Sequence, residues 1–416
     1  MTRRAPAPRG ACPTLDDPME VADGLLARFR PERGFSPAQL DALADAAERH
    51  GNGLIEVTAR GNVQVRGLSE ASAGAFRMAL EAADIVALRL PAIEFSSIAG
   101  DDPEALADPR GLAKRLRQVC AQALQRAPLS PKLALVIEDG GQIGLDGQKA
   151  DIRLRAALGG WALEVGGSGM GLLDEADVTE MVGRLLGALQ AKGPRARATD
   201  LDAGELAAIG ELSVAGGAER RRVALGRLHM RAGYALRVGV PFGQVGPDMV
   251  RALSKVMAAF GVGEARPAPE RTLVLVGAQG DGEGLDDALE AAGWWAHPDT
   301  AGGRLTLCSG AESSDGGVIH AAQLTGALAR IAPDLLDGSV HIHVSTCAKG
   351  CAFTGRPGVM LDGNRLVLYD SATQRQLATF DPTAIEADIV SLVERIRDNR
   401  KSGETTLDCL SRLGPP

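Results

Sequence analysis

Pro31-Glu32-Arg33-Gly34-Phe35-Ser36-Pro37 and, 210 residues later, Pro241-Phe242-Gly243-Gln244-Val245-Gly246-Pro247 keep both prolines while the residues between them have diverged. Worked outward at that offset, the register runs ungapped from Ala22 to Gly67. It pairs Leu26 with Leu236, Leu43 with Leu253, Gly51 with Gly261, Gly53 with Gly263 and Gly67 with Gly277. One residue is then lost, and Ala79-Leu80-Glu81-Ala82-Ala83 matches Ala288-Leu289-Glu290-Ala291-Ala292. Chance identity would not hold Gly and Pro at the same punctuation points. A period this long marks duplication of a domain-sized unit rather than a solenoid.

Each copy reads strand, helix, strand, helix. In the first, Leu25–Phe29 is an apolar strand, and Ser36 caps a helix with Pro37 at its first position, where proline is tolerated. The turn Gly51-Asn52-Gly53 stops that helix. Residues 54–66 then alternate as a strand, and residues 70–83 form a second helix. The second copy repeats this with a strand at 235–240, a helix at 247–260, a strand at 272–276 and a helix at 285–292. The two half-sheets are expected to pair into one pseudo-symmetric domain. The segments between and after the copies read as α/β. The first has helices at 109–126 and 174–192 and strands at 133–137 and 152–157. The second has strands at 305–308, 340–345 and 366–369 and helices at 319–331 and 384–399. Residues 194–226 read as the least ordered connection.

With 416 residues, the chain has length for two to four domains. Its formal net charge of −8 argues against a broad nucleic-acid-binding surface. No apolar run reaches the length of a membrane span, and no apolar segment follows Thr2-Arg3-Arg4 as a secretory signal requires. A cytoplasmic location is expected. Six unevenly spread cysteines do not form a disulfide scaffold.

Three of them, however, share one window: Cys308, then Cys347 and Cys351 in Ser345-Thr346-Cys347-Ala348-Lys349-Gly350-Cys351. Thiolates are soft ligands that select iron–sulfur clusters, zinc or copper(I). A C-x3-C pair with a distant Cys suits a cubane held from two loops. The alternative is small buried hydrophobes in a Gly-rich turn. A cationic strand precedes this region: Arg60, Asn62, Gln64 and Arg66 alternate with Val63 and Val65, which places four polar groups on one strand face.

Together these stretches resemble the precorrin-3B synthase family of the nitrite/sulfite reductase superfamily. The resemblance rests on Arg9-Gly10-Ala11-Cys12-Pro13, His50-Gly51-Asn52-Gly53, Thr58-Ala59-Arg60-Gly61-Asn62-Val63-Gln64-Val65-Arg66-Gly67, Ala99-Gly100-Asp101-Asp102-Pro103 and Gly239-Val240-Pro241-Phe242-Gly243, with the cysteine segment last. It covers the chain apart from residues 194–226.

The resemblance implies an α+β protein in which duplicated ferredoxin-like half-domains form one pseudo-symmetric domain, joined by two α/β domains of the nitrite/sulfite reductase type. Residues 1–88 and 226–297 would be the half-domains. Residues 89–225 would be an α/β domain without a cluster, ending in a linker, and residues 298–416 the α/β domain with it. A [4Fe–4S] cluster would be held by Cys308, Cys347 and Cys351. Ser314 stands where the pattern calls for the fourth cysteine, and a hydroxyl is a far weaker anionic ligand than a thiol. A mononuclear non-haem iron is implied beside it, with His341 or His343 as candidate ligands. The implied reaction is O2-dependent hydroxylation of the tetrapyrrole precorrin-3A at C20 with lactone formation from the ring A acetate. It would draw on an electron-donor protein or an external reductant derived from NAD(P)H. Arg60, Asn62, Gln64, Arg66, Lys132 and Arg271 would bind the carboxylate-fringed ring, since the arginine fork matches carboxylates. Arg89 is the nearest stand-in for an arginine expected before Ser96.

Two rivals stay open: a siroheme-dependent sulfite or nitrite reductase-like enzyme, and a tetrapyrrole-binding relative with an impaired cluster. A nicotinamide module is disfavoured because the glycines at 277, 280, 282 and 284 miss the G-x-G-x-x-G spacing. Gly166-Gly167-Ser168-Gly169-Met170-Gly171 reads as a flexible loop rather than a phosphate cradle.

Overall fold

A computed structural model describes residues 13–21, 23–88, 91–210, 225–278, 282–297, 305–307, 337, 339–345, 358–362, 365–369, 374–379 and 384–413. Four sheets organise them. The first is antiparallel, in the order β1 (Met19–Val21), β2 (Gly24–Phe29), β4 (Val63–Leu68), β3 (Ile55–Val57), β12 (Gln244–Val245). The second runs β10 (Gly226–His229), β11 (Tyr234–Gly239), β14 (Thr272–Val276), β13 (Glu264–Ala268), also antiparallel.

The two copies are stitched together reciprocally. Val245 of the second copy pairs with Ile55 of the first, and Phe35 of the first pairs with Ala265 of the second. Those two pairings are related by the same 210-residue offset as the sequence repeat. The second is closed by two backbone hydrogen bonds of 2.8 Å, Phe35 N–H to Ala265 O and back. Each half thus completes the other's sheet edge.

Helix α1 (Pro37–His50) starts in a capping box, with Ser36 Oγ accepting from Gln39 N and the Gln39 side chain accepting from Ser36 N. Its counterpart α6 (Pro247–Ala259) also begins on proline, and the two pack together across the pseudo-twofold. Leu43 and Leu253, identical in the repeat, are both buried in this shared core. Truncating either to Ala would cost roughly 2–5 kcal/mol. At the rim, Arg251 of α6 reaches Asp45 at 2.7 Å and Glu48 at 2.6 Å on α1.

The third and fourth sheets repeat one topology. In the third, β5 (Ala92–Glu94), β6 (Ala134–Glu138) and β7 (Ile152–Ala157) are parallel, and β8 (Gly160–Val165) and β9 (Ser168–Leu173) return antiparallel. In the fourth, β15 (Leu305–Leu307), β16 (His341–Ser345) and β17 (Gly358–Asp362) are parallel, and β18 (Arg365–Tyr369) and β19 (Gln374–Thr379) return antiparallel. This second duplication carries no identity pattern visible in the sequence. The α3 (Pro109–Arg126) and α4 (Glu175–Lys192) helices pack on the third sheet, burying Leu112, Leu116, Val182 and Leu185.

Three sequence expectations change. The strand expected across residues 54–66 is a hairpin, because the chain turns over Thr58–Asn62 between β3 and β4. The Gly166–Gly171 loop is a turn followed by edge strand β9. The connection at 194–226 contains helix Ala203–Ile209, which buries Leu206, and ends where strand β10 begins. The helix expected at 319–331 lies outside the described residues. No helix among the described residues is long and apolar enough to cross a membrane.

Candidate functional site

The tips of two pseudo-equivalent hairpins meet on the twofold. The β3–β4 loop is drawn tight by Gly61 N–H to Thr58 O (2.8 Å) and Asn62 N–H to Thr58 Oγ1 (3.0 Å). Its Ala59 carbonyl accepts from Glu270 N–H at 2.8 Å, on the β13–β14 tip. Gly61 takes φ +75°, and a Cβ there would lie 2.8 Å from the carbonyl carbon and oxygen of Ala268. Only glycine allows this approach.

In the second copy that left-handed position is Arg271 (φ +60°), preceded by Glu270 (φ +63°). Non-glycine residues hold such backbone only when neighbours over-determine it. Arg237, buried beneath, does so: its Nε donates to Thr272 Oγ1 at 3.1 Å, its Nη2 to Pro269 O at 3.1 Å, and it pairs with Glu270 at 3.6 Å. Arg271 is buried to 6 % exposure, its stem against Gly243, where any Cβ would collide with Arg271 Cδ.

Arg60 stands at the first tip, about one-third exposed. Its Nη1 pairs with Glu94 on β5 at 3.1 Å, and its Nη2 donates to the Lys149 carbonyl. The Arg60 carbonyl in turn accepts from Arg30. Several buried polar atoms around this centre lack a hydrogen-bond partner: Arg30 Nε, Glu94 Oε2, and both amide atoms of Gln148, the neighbour of Lys149. Each such atom costs about 1–3 kcal/mol if left dry. Donors and acceptors together describe a polar seat for ligand or water. Burial lowers the Arg30 pKa, which Glu94 opposes and the Arg60 charge reinforces. Behind it, Arg153 donates to Glu138 and the Gln148 carbonyl, and burial lowers its pKa too. Arg155 pairs with Glu164 at 2.7 Å and Glu138 at 3.4 Å.

The remaining expected ring contacts divide. Asn62 is half-buried in the same tip as Arg60. Gln64 is locked inside the sheet, accepting from Arg28 and donating to Glu56 at 2.6 Å. Arg66 forks onto Asp23 at 2.8 and 3.0 Å, behind the tip. The expectation of four polar groups on one strand face therefore fails, because the turn at Gly61 separates Arg60 and Asn62 from the other two. Lys132 is exposed at the start of β6. It lies in the turn four residues before Val136, the strand-register partner of Glu94. Glu94, Gln148, Arg30 and Arg237 were not singled out by the sequence. A lone acid in the short apolar run Ala92-Ile93-Glu94-Phe95 was the available signal.

Cys308, Ser314, Cys347, Cys351 and Arg89 lie outside the described residues. The strands leading to them do not. β15 and β16 are adjacent and parallel, with Leu307 opposite Val344. Cys308 follows Leu307 directly, and Cys347 comes two residues after Ser345. β15 also runs beside the Pro241–Gly243 turn, whose Gly243 abuts Arg271. Among the described residues no three His, Cys, Asp or Glu side chains converge as metal ligands, and the side chains of His341 and His343 lie outside those described.

This architecture has known counterparts. The nitrite/sulfite reductase ferredoxin-like half domain matches twice, at residues 17–83 and 228–292. The structure of Mycobacterium tuberculosis NirA protein superposes with a TM-score of 0.67 over 94 % of this chain and 84 % of that one, at 17 % identity. Fold and half-domains place the molecule in the nitrite/sulfite reductase class. Within that class, a precorrin-3B synthase from Sinorhizobium sp is 34 % identical over an alignment 429 positions long, covering 98 % of this chain and 93 % of the relative. The chain belongs to the precorrin-3B synthase family.

Proposed function

We propose that this chain is an oxidoreductase of cobalamin biosynthesis that hydroxylates precorrin-3A at C20, consuming O2 and closing a lactone with the ring A acetate. The observation that carries the reading is the joined pair of hairpin tips. They set Arg60 and Arg271, with Arg30 and Gln148 close behind, beside the turn that abuts β15. The substrate is a flat ring fringed with carboxylates, so a net acidic protein must concentrate cations where it docks. Arg60 would exchange Glu94 for a substrate carboxylate, and the unpartnered Arg30 Nε and Gln148 amide would supply further hydrogen bonds. Arg66, held by Asp23, and Gln64, held by Arg28 and Glu56, would stiffen the sheet behind the ring rather than touch it. Asn62 would contact the ring edge from the tip. Lys132 would serve at most an outlying carboxylate.

Strand geometry supports the metal assignment. Two parallel neighbours, about 4.8 Å apart, end with Leu307 opposite Val344, and Cys308 and Cys347 follow them closely in the sequence, so both thiolates would start from one sheet end. Cys308, Cys347 and Cys351 would hold the [4Fe–4S] cluster, with Ser314 as the fourth, weaker donor. When bound, the cluster supplies one-electron transfer; an external reductant would feed it, and His341 or His343 is the candidate ligand of the mononuclear iron. Arg271, whose strained backbone keeps a cation where the first copy has Gly61, would bind a carboxylate on the cluster side. A cytoplasmic site of action accords with cysteines kept as thiols.

Anaerobically purified protein should contain about four acid-labile sulfides per chain for an intact cubane, and about five irons when the mononuclear iron is bound as well. Arg60→Ala should weaken tetrapyrrole binding roughly tenfold, the worth of one charge-assisted contact, without altering iron content. Equal loss of both would break the assigned division of labour. Siroheme absorption bands would instead select the reductase reading, and absence of iron the carrier.

A further inference from the structure

Four non-glycine residues among those described have left-handed backbone, and three of them, Phe242 (φ 57°), Glu270 and Arg271, stand at one corner. Gly243 presses on the Arg271 stem, Val240 N–H donates to Arg271 O at 2.9 Å, and Gly243 N–H closes onto Val240 O at 2.8 Å. A bulky side chain with positive φ is a genuine outlier. The duplicated fold does not require it here. At the same offset the first copy has Glu32, which makes this turn without left-handed backbone and anchors it by Glu32 N–H to Val86 O at 2.7 Å. Strain confined to one copy marks a demand of function rather than of fold.

The Phe242 ring is fixed as well as strained. It meets Trp295 edge-to-face, with centroids 5.1 Å apart at 89°, and Trp295 is tied to Gly239 by hydrogen bonds of 2.8 and 3.3 Å. Phe242 nevertheless remains half-buried, next in the chain to Gly243, which abuts Arg271, in the turn that runs beside β15.

We propose that Phe242 is a specificity-determining contact: its open ring surface is the apolar wall against which the flat centre of the tetrapyrrole lies, while Arg271 takes a peripheral carboxylate. A conjugated macrocycle needs both chemistries side by side, an aromatic surface for its face and cations for its fringe. The inference rests on the tetrapyrrole reading above and adds a residue that reading did not use.

The test titrates sirohydrochlorin, a polycarboxylated isobacteriochlorin, into the full-length protein and follows its visible absorbance. Phe242→Asn keeps a residue tolerant of left-handed backbone and removes the ring; Phe242→Leu keeps bulk without aromaticity and serves if the first variant does not fold. Both should bind about tenfold more weakly than wild type, with thermal midpoints within a few degrees of it. Wild-type affinity in a folded variant overturns the inference. If Arg271→Ala weakens binding while both Phe242 variants bind normally, the tetrapyrrole reading stands and this inference alone fails. If the wild-type chain binds no macrocycle, both fall.

Discussion

The β3–β4 tip and the β13–β14 tip occupy equivalent places and touch, yet they solve the same backbone problem differently. Both need a left-handed residue after the apex. The first supplies Gly61, which has no side chain to collide with Ala268. The second supplies Arg271, and needs buried Arg237 and Thr272 to hold the strained loop. The difference teaches where duplication has been left as scaffold and where it has been modified. A glycine satisfies geometry alone, whereas an arginine in left-handed backbone retains a charge at a cost of about 1–2 kcal/mol. The same contrast recurs between the two α/β sheets. Superposing the β5–β6 and β15–β16 registers puts Asp139 of the first at the sequence position of Cys347 in the second.

The largest effect should come from erasing the first solution. Gly61→Ala adds a Cβ against the Ala268 backbone in a left-handed residue, and should lower stability by roughly 3–4 kcal/mol in denaturant titration. A change below about 1 kcal/mol would mean the tips are not locked together.

Asp139 gives the next effect. It is buried, its Oδ2 has no hydrogen-bond partner, and burial, with the nearby Asp102 charge adding, raises its pKa from 3.8 to about 6. Between those values the folded chain holds a proton that the unfolded chain releases, so stability falls as pH rises through that window. Above pH 6 the penalty is complete. Asp139→Asn should therefore stabilise the protein by about 2–3 kcal/mol at pH 8 and by little at pH 4. Unfolding curves at the two pH values measure it, and an equal gain at both would remove the titration from the account.

The smallest effect is the sharpest for the comparison. In ordinary backbone Gly is less stable than Ala, by roughly 0.5–1 kcal/mol. At position 271 the order should reverse, Arg271→Gly exceeding Arg271→Ala by about 1 kcal/mol, because both lose the same stem and only the Cβ strain differs. The usual order at this site would show that the left-handed backbone relaxes.

Local punctuation was legible in the sequence, and tertiary pairing was not. Pro37 with Ser36, and Pro247 with Gly246, mark both helix starts, and the paired glycines mark the turns, because these residues act through their own backbone. The alternation of Val63 and Val65 was real, but it concealed the turn at Gly61, since period-2 patterning cannot distinguish a strand end from its continuation. Arg60 stood out as a cation beside a glycine. Its partner Glu94 did not, because nothing local links residues 34 apart that meet only when separate sheets pack. Gln148 and Arg237 were hidden for the same reason. The second duplication left no trace because strand pairing runs through backbone groups and lets the side chains diverge.

The exchanged pairings of Phe35 with Ala265 and of Val245 with Ile55 also bear on biosynthesis. A ribosome adding about 5–20 residues per second takes on the order of 10–40 s to extend from the first partner to the second. For that interval the emerged amino-terminal half carries an unfinished sheet edge, the kind of surface that attracts foreign strands. The nascent chain therefore keeps that edge open until its own later segment arrives.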